Sequence, residues 1–379
     1  MNANQHFDNI LQQQADKKKT AGLLRNLTDY TGYVDFCSND YLGFSKLLPI
    51  PENSLPAGAT GSRLVTGNSA LAEATEKIIA AFHQAKAALI FNSGYTANIG
   101  LFSSIASKSD TFIVDERVHA SIIDGIRLSH ATRRKFKHND TADLEKRLQQ
   151  ETAGEKFVVV ESVYSMDGDE APLIAIAALC KKYTALLVVD EAHATGIFGN
   201  NGEGLVCHYN LQNDVYACVY TFGKALGLHG AVITGSHTLR NHLINNARSF
   251  IYTTAMPPHM YLQVQQAYQL LPAAGRAALH QLINYFREAI KNYPGIKFID
   301  SLSPIQGIII GDNFKATKLT EKLLQKRIYV KAILSPTVTA GKERLRICLH
   351  TFNTTEQIDV LIQEIKVFEH EYNHSRYTY

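Results

Sequence analysis

The sequence has few cysteines and none of the close cysteine pairs that hold a structural metal or a dense disulfide framework. Five cysteines are spread over 379 residues, an odd number with no CxxC spacing. Disulfide scaffolds and structural zinc sites are therefore excluded as the basis of the fold. Thiols in this pattern are typical of a reducing compartment. They are Cys37, Cys180, Cys207, Cys218 and Cys348.

Long apolar runs and a strong net charge are also missing. No stretch approaches the roughly 20 apolar residues that cross a bilayer, and residues 1–20 lack the apolar segment of a secretory signal. The net charge is only +3. The basic runs Lys17–Lys19 and Arg133–Lys135 are short, and we interpret them as solvated helix or loop charge. We therefore predict a cytoplasmic protein that binds neither membranes nor nucleic acid.

What the sequence does contain is an alternation of short apolar runs with helical patterns, beginning near residue 73. Continuously apolar strands separated by helices are typical of a parallel sheet covered on both faces. We therefore predict an α/β fold with a mostly parallel central sheet flanked by helices. The predicted strands are 87–91, 111–114, 157–160, 186–189, 215–221 and 231–234.

The two ends of the chain differ from this central region. Phe7, Ile10 and Leu11 stand at helical spacing, which predicts an amphipathic helix up to about residue 20. After about residue 270 the pattern changes to mixed helices and strands. We predict an N-terminal helix with a segment of a small domain (1–45), a large α/β domain (46–270) and a C-terminal α+β domain (271–379).

A lysine in a small-residue turn is the strongest candidate for chemistry. Lys224 follows one predicted strand, and Asp190 and His193 follow another. An imine-forming lysine, an aspartate for the pyridine nitrogen and a histidine for the phenolic oxygen are what pyridoxal 5'-phosphate chemistry requires. Ligands of open α/β sheets bind beyond the carboxyl ends of the strands, where these residues would lie. The alternative is that Asp190 is a helix cap or a solvated loop carboxylate.

Other strand ends carry residues that suit the same ligand. The segment Asn92–Asn98 opens a helix whose free N–H groups suit a phosphate, although such a turn can be only a capped helix start. His119 could stack on a pyridine ring, although a lone histidine is more often structural. Ser165 could hydrogen-bond cofactor or substrate. Arg346 suits a carboxylate because a guanidinium binds it in a bidentate manner, with an ion pair on a strand as the alternative. No metal site is predicted.

These residues lie in motifs that resemble the α-oxoamine synthases. Members of that family are fold-type I pyridoxal phosphate enzymes that join an amino acid to an acyl thioester with loss of carbon dioxide. The resemblance runs from about Arg25 to the last helix. The motifs are Ser38-Asn39-Asp40-Tyr41-Leu42-Gly43, Phe136–Asp140, Ser162–Asp169, Asp190–His193, Thr221–Lys224, Ile251–Pro258 and Pro336-Thr337-Val338.

The resemblance implies a role for each candidate. Lys224 would carry the cofactor and act as the base, and Asp190, His193 and His119 would complete the catalytic set. Thr254 would reach the phosphate from the second subunit of a homodimer with shared active sites. The other implied cofactor contacts are Gly94, Tyr95, Ser165 and Thr221, and the implied substrate contacts are Arg25, Thr337 and Arg346.

The implied reaction is the decarboxylative condensation of L-alanine with a pimeloyl thioester in biotin biosynthesis. Whether coenzyme A or an acyl-carrier protein delivers the acyl group stays open. The alternatives are another member of the family, such as a glycine C-acetyltransferase or a serine or glycine acyltransferase, and a cofactor-binding protein without catalysis.

Three departures from the family pattern stand out. Residues 45–57 are shorter than usual and are predicted to lack a helix. Ala72 replaces a common histidine, and Leu334 replaces an arginine that close relatives often carry. The last of these bears on recognition of the acyl chain or its carrier.

Overall fold

The computed structural model describes residues 2–49, 55–291, 293 and 296–375. Strands and helices alternate through most of this part of the chain. The strands are β1 (Val34–Asp35), β2 (Ala87–Phe91), β3 (Thr111–Asp115), β4 (Thr132–Phe136), β5 (Lys156–Glu161), β6 (Leu186–Asp190), β7 (Val215–Thr221), β8 (Ala231–Gly235), β9 (Lys297–Phe298), β10 (Ile305–Ile309), β11 (Ile328–Tyr329), β12 (Lys331–Ile333) and β13 (Arg344–Cys348).

Helices connect and cover these strands. They are α1 (Ala3–Thr20), α2 (Phe44–Leu47), α3 (Ala70–Phe82), α4 (Gly94–Ser104), α5 (Ala120–Ser129), α6 (Thr141–Leu148), α7 (Leu173–Lys182), α8 (Leu205–His208), α9 (His237–Asn246), α10 (Arg248–Ile251), α11 (Pro258–Leu270), α12 (Arg276–Lys291), α13 (Asn313–Gln325) and α14 (Thr355–Ser375), with a 3₁₀ turn at Leu271–Ala273.

Within the described residues, a seven-stranded sheet forms the centre of the molecule, in the order β2-β8-β7-β6-β5-β3-β4. Strands β3 to β7 pair in parallel, and β8 runs antiparallel between β2 and β7. The predicted fold class, a mostly parallel sheet flanked by helices, is confirmed. Every residue of β2 and β3 is buried, as expected for strands that are covered on both faces.

The edge strand β4 was not predicted from the sequence. It contains the run Arg133–Lys135, so the interpretation of that run as helix or loop charge was wrong. Only Phe136 of this strand is buried, and solvent contact explains why the segment does not read as an apolar run. Charge on an exposed edge also blocks pairing with other chains.

Helix α7 shows how the sheet is covered. Leu173, Ile176 and Cys180 are buried at helical spacing, whereas Ile174 is 60% exposed. Two lysines in the last turn lie at the negative end of the helix dipole. One face of the helix therefore supplies the core.

The C-terminal region forms a second, antiparallel sheet in the order β12-β13-β10-β9. The N-terminal strand β1 pairs with β11 through Val34 and Ile328, and the Cys348 N–H donates to the Phe36 carbonyl at 2.8 Å. Residues near the N-terminus thus pack with the end of the chain. On this basis we propose the division at about residues 45 and 270.

Helix α1 is formed as predicted, and Asn2 caps its start in a capping box with Gln5. None of its residues is buried against the rest of the described chain. Phe7 is 58% exposed and Leu11 47% exposed. Its apolar face is therefore uncovered in the single chain.

The segment 45–57 holds one helical turn, because α2 extends to Leu47. The prediction that the segment lacks a helix is corrected to that extent, and residues 50–54 lie outside the described part. Among the described helices, we find none with the length and apolar character needed to cross a membrane.

Candidate active site

The carboxyl ends of the parallel strands bring acidic residues to one edge of the central sheet. Strand β6 ends at Asp190, and the neighbouring β5 ends at Glu161, its register partner. Both side chains are buried, with 6% and 3% of their surface exposed. Strand β7 ends nearby at Thr221, three residues before Lys224. The predicted aspartate thus ends one strand, and the predicted lysine follows the end of the adjacent strand.

Asp190 is held by two hydrogen bonds. Its Oδ2 accepts from Asn98 Nδ2 at 3.0 Å, and its Oδ1 accepts from the Ala192 N–H at 3.0 Å. None of the ion pairs among the described residues involves Asp190. A buried carboxylate without a fixed ion-pair partner suits a cationic ligand group such as a protonated pyridine.

Lys224 is mostly buried in the turn between β7 and β8. Burial, helped by the nearby Arg346 guanidinium, lowers the pKa of Lys224 to about 8, although Asp190 and Glu161 act in the opposite direction. The turn depends on Gly227, whose φ is 61° and where a Cβ would collide with the backbone of Ser45. The fold therefore presents an amine that loses its proton more easily than an ordinary lysine.

His119 and His193 flank this cluster in neutral form. The backbone N–H of His119 donates to Glu161 Oε1 at 2.5 Å. Its ring Nδ1 lies 2.8 Å from Ser121 Oγ. Burial lowers the pKa of both histidines, and Lys224 lowers it further, whereas Asp190 and Asp124 act in the opposite direction on His119. His193 Nδ1 lies 2.8 Å from the Tyr41 hydroxyl. Both rings are therefore hydrogen-bonded on one nitrogen.

The start of α4 has features that suit an anion. Ser93 caps the helix, so the N–H groups of Gly94 and Tyr95 precede the first intrahelical hydrogen bond. A Cβ on Gly94 would lie 2.6 Å from Thr221 Cγ2, which places the two residues in contact. The buried Thr221 Oγ1 has no hydrogen-bond partner among the described residues. Free N–H groups, a free hydroxyl and the positive end of a helix fit a phosphate.

Arg346 lies on β13 and faces the site from the C-terminal sheet. Its Nε donates to the Ser165 carbonyl at 2.6 Å, and one terminal nitrogen donates to Asn39 Oδ1 at 3.0 Å. It forms no ion pair among the described residues, so the alternative of an ion pair on a strand is not what the structure has. A buried guanidinium with neutral partners can still take a carboxylate.

The remaining predicted residues lie further out. Tyr95 is 48% exposed and its hydroxyl donates to Asp124 Oδ2 at 2.6 Å. Thr254 is exposed, and its carbonyl accepts from Asn92 Nδ2 at 2.7 Å. Arg25 and Thr337 are exposed and outside the hydrogen-bonded cluster. Among the described residues, no hydrogen bond joins the side chains of these four to Lys224.

Sequence reasoning missed four residues of the cluster. Glu161 ends its strand as Asp190 ends the next, which was a usable signal. Asn98 lies one helical turn after Gly94, on the face that reaches Asp190. Asn39 and Tyr41 lay in a motif that was noticed but received no role.

Together, the parallel sheet with a lysine, an aspartate and an anion-binding helix at its carboxyl edge defines a pyridoxal phosphate-dependent transferase of fold type I. The family model "Aminotransferase class I and II" matches residues 31–365, and the chain belongs to this family. Within it, the sequence motifs are those of 8-amino-7-oxononanoate synthase, and relatives with that name confirm the relationship.

Three comparisons show how similar this chain is to known proteins in sequence and in structure. The 8-amino-7-oxononanoate synthase of Marinobacter nauticus is 39% identical over 373 residues, which cover 93% of this chain and 94% of the relative. The structure of 8-amino-7-oxononanoate synthase from Francisella tularensis is 31% identical, with a TM-score of 0.77 and coverage of 90% of this chain and 99% of that one. A serine palmitoyltransferase from S. paucimobilis with bound pyridoxal phosphate and myriocin is 26% identical, with a TM-score of 0.87 and coverage of 98% and 99%.

Proposed function

We propose that this protein condenses L-alanine with a pimeloyl thioester to give 8-amino-7-oxononanoate. In this reaction the carbon of alanine that bears the amine forms a bond to the acyl carbon. The thiol leaves with a proton, the alanine carboxylate leaves as carbon dioxide, and a proton takes the place of the carboxylate on that carbon. The amino-acid and acyl-thioester substrate classes follow from the enzymes to which the chain is related, and alanine and pimelate are the proposed members.

The observation that carries the proposal is the buried Lys224 amine, whose pKa is lowered and which lies within electrostatic reach of both Asp190 and Arg346. Arg346 is the one of these groups that can hold a substrate carboxylate, in a bidentate manner. A neutral Lys224 amine can then take the proton from the alanine Cα, because a depressed pKa leaves the amine free to act as a base near neutral pH. The burial of the cluster keeps water from competing for that proton.

Pyridoxal phosphate, when bound, supplies the electron sink that stabilises negative charge at the amino-acid Cα. The residues that would hold the cofactor are those whose charge or hydrogen-bonding groups have no partner among the described residues. Asp190 would stabilise a proton on the ring nitrogen, and Thr221 with the Gly94 and Tyr95 N–H groups would take the phosphate. We assign His119 to the ring face, His193 to the phenolic oxygen and Ser165 to a neighbouring contact.

The proposed active unit is a homodimer. Helix α1 leaves Phe7 and Leu11 exposed, and the segment around Thr254 is exposed with Tyr252 at 73%. Apolar surface of this kind is typical of an interface. We assign Thr254 to the phosphate of the partner's site, and Arg25 and Thr337 to the entry of the acyl substrate.

A second candidate is condensation of serine or glycine with another acyl thioester, which the similarity to serine palmitoyltransferase favours. The rate of thiol release from each pair of substrates distinguishes the two candidate reactions. Alanine, glycine and serine are each combined with pimeloyl, acetyl and palmitoyl thioesters of coenzyme A and of acyl-carrier protein. The proposal expects the highest kcat/KM for alanine with a pimeloyl donor.

Lys224→Ala is the matched control for this screen. It is expected to remove turnover and the visible absorbance of the bound cofactor, because Lys224 is the amine that the proposal assigns to the cofactor. Exchange of the alanine Cα proton by Lys224→Ala would contradict the role of this lysine. No thiol release with any pair would contradict a synthase altogether.

A further inference from the structure

A line of buried polar side chains joins the Arg346 guanidinium to His193. A terminal nitrogen of Arg346 lies 3.0 Å from Asn39 Oδ1, and the Tyr41 hydroxyl lies 3.1 Å from the same oxygen. The Tyr41 hydroxyl also lies 2.8 Å from His193 Nδ1. Tyr41 has no exposed surface, and His193 and Arg346 have 4% and 8%. The line thus connects the proposed carboxylate anchor with the proposed partner of the phenolic oxygen.

The protons in this line can be placed from donor capacity alone. Arg346 can only donate, and Asn39 Oδ1 can only accept. Tyr41 has one proton, and it lies within hydrogen-bond distance of an oxygen that cannot donate. Tyr41 therefore donates to Asn39, and its own oxygen accepts from His193, whose proton must then be on Nδ1. The opposite assignment would leave two oxygen lone pairs facing each other at 3.1 Å in a buried site.

Burial keeps both members of the pair neutral. Burial raises the pKa of the Tyr41 hydroxyl, and the groups that face it are the Cys348 thiol, the Arg346 guanidinium and the His350 ring. Burial also lowers the pKa of His193 well below its ordinary value, and the cations Lys224 and Arg346 and the His119 ring lower it further. Tyr41 thus remains a donor and His193 a neutral ring with one proton.

We propose that Asn39 and Tyr41 hold His193 with its proton on Nδ1 and transmit to it whether Arg346 carries a substrate carboxylate. This inference rests on the proposed function, since it takes His193 as the partner of the phenolic oxygen. Tyr41 is a positioning residue in it, because it acts only through His193.

The coupling has a defined direction. A carboxylate on Arg346 neutralises a charge that disfavours protonation of His193, so His193 Nε2 becomes more basic when the amino acid is bound. The carboxylate also competes for the N–H that Arg346 gives to Asn39. The histidine therefore becomes the better proton acceptor at the stage when a proton has to be moved.

The first test needs no variant of Tyr41 and no cofactor. The full chain without cofactor is labelled with ¹⁵N-histidine, and the ring signals of His193 are identified by their loss in His193→Gln. Signals of a neutral ring with the proton on Nδ1 support the assignment. Signals of the Nε2–H form overturn it, whatever the enzyme turns out to catalyse.

The second test uses the cofactor-loaded protein with propionate, which has the carboxylate of alanine but no amine. Propionate is expected to raise the pH midpoint of the visible absorbance titration. Tyr41→Phe is expected to reduce that shift, because it breaks the hydrogen-bonded path from Asn39 to His193. An undiminished shift in Tyr41→Phe overturns the coupling through Tyr41. If the loaded protein has no visible absorbance, the proposed function fails instead.

Tyr268→Phe is the matched control. Tyr268 is also buried, and its hydroxyl lies 3.0 Å from Nε2 of the buried His83, outside the site. Both substitutions remove one tyrosine–histidine hydrogen bond from the interior. Tyr268→Phe is expected to keep the full propionate shift. If the shift is reduced in Tyr268→Phe as much as in Tyr41→Phe, the specific role of Tyr41 is overturned.

Discussion

At the scale of single residues, the surroundings of Lys224 decide when its amine is free of a proton. Two carboxyl groups favour the charged form, whereas burial and Arg346 disfavour it and prevail. The same burial raises the pKa of Glu161, with Asp190 acting in the same direction. Charge at these strand ends is thus set first by burial and then by neighbours on the adjoining strands.

We predict a pH dependence for cofactor capture by the apoprotein. Only the neutral amine attacks an aldehyde, so the capture rate should rise about tenfold per pH unit below the Lys224 pKa and level off above it. The plateau is expected above pH 8, because the pKa is lowered to about 8. Stopped-flow absorbance measures the rate, with Lys224→Ala as the background.

Asp190→Asn is the companion variant. The Asp190 charge raises the pKa of Lys224, so its removal is expected to move the midpoint of capture to lower pH. A rate that climbs steadily to pH 10, as for an unperturbed lysine, would show that the site does not lower this pKa.

At the scale of elements, the buried and exposed faces of α7 allow a comparison within one helix. Ile176 has no exposed surface, and Ile174 is 60% exposed. Ile176→Ala should lower the free energy of unfolding by about 2–5 kcal/mol, because it leaves a cavity against the sheet. Ile174→Ala should change it by less than about 0.5 kcal/mol.

Urea unfolding at one protein concentration measures both values. Equal losses for the two variants would contradict the assigned orientation of the helix. The comparison does not depend on cofactor or substrate, so it tests the fold separately from the chemistry.

The strands that sequence reasoning found and missed differ in their surroundings. The strands from β5 to β8 are apolar runs because the sheet is covered on both faces there, and their bounds were predicted within about two residues. Strand β4 contacts solvent and reads as charge, and β11 and β12 are too short for a periodic signal. Asp190 was found because it directly follows an apolar run, and Lys224 because it stands in a small-residue turn three residues after one.

The residues that complete the site were harder to predict for a physical reason. Asn98 reaches Asp190 across 92 positions of sequence, and Tyr41 reaches His193 across 152. Such contacts depend on strand order and helix packing, which no local pattern specifies. The resemblance to the α-oxoamine synthases supplied roles for the local residues and none for these.

At the scale of the whole molecule, the assignment of Thr254 to the partner's site can be tested with two inactive variants. Lys224→Ala removes the amine, and Thr254→Glu is expected to repel the phosphate. Coexpressed subunits form mixed dimers, in which one site combines an intact Lys224 with an intact Thr254. If the sites are shared, about a quarter of wild-type activity returns in a statistical mixture.

No return of activity in verified mixed dimers would place Thr254 in the site of its own subunit. Mass measurement in solution provides the necessary check that dimers form. A protein that remains a monomer at every concentration would contradict the shared site and leave the apolar face of α1 without a partner of its own kind.

The hydrogen bond between Asn39 and Arg346 spans 307 positions, whereas Lys224 lies in a short turn between two paired strands. A ribosome synthesises the chain from the N-terminus onward, and domains generally fold as units during synthesis. The lysine turn can therefore form while the last hundred residues are still being made. The substrate anchor can close only when synthesis is almost complete, so an interrupted chain would retain the lysine turn without the means to hold an amino acid.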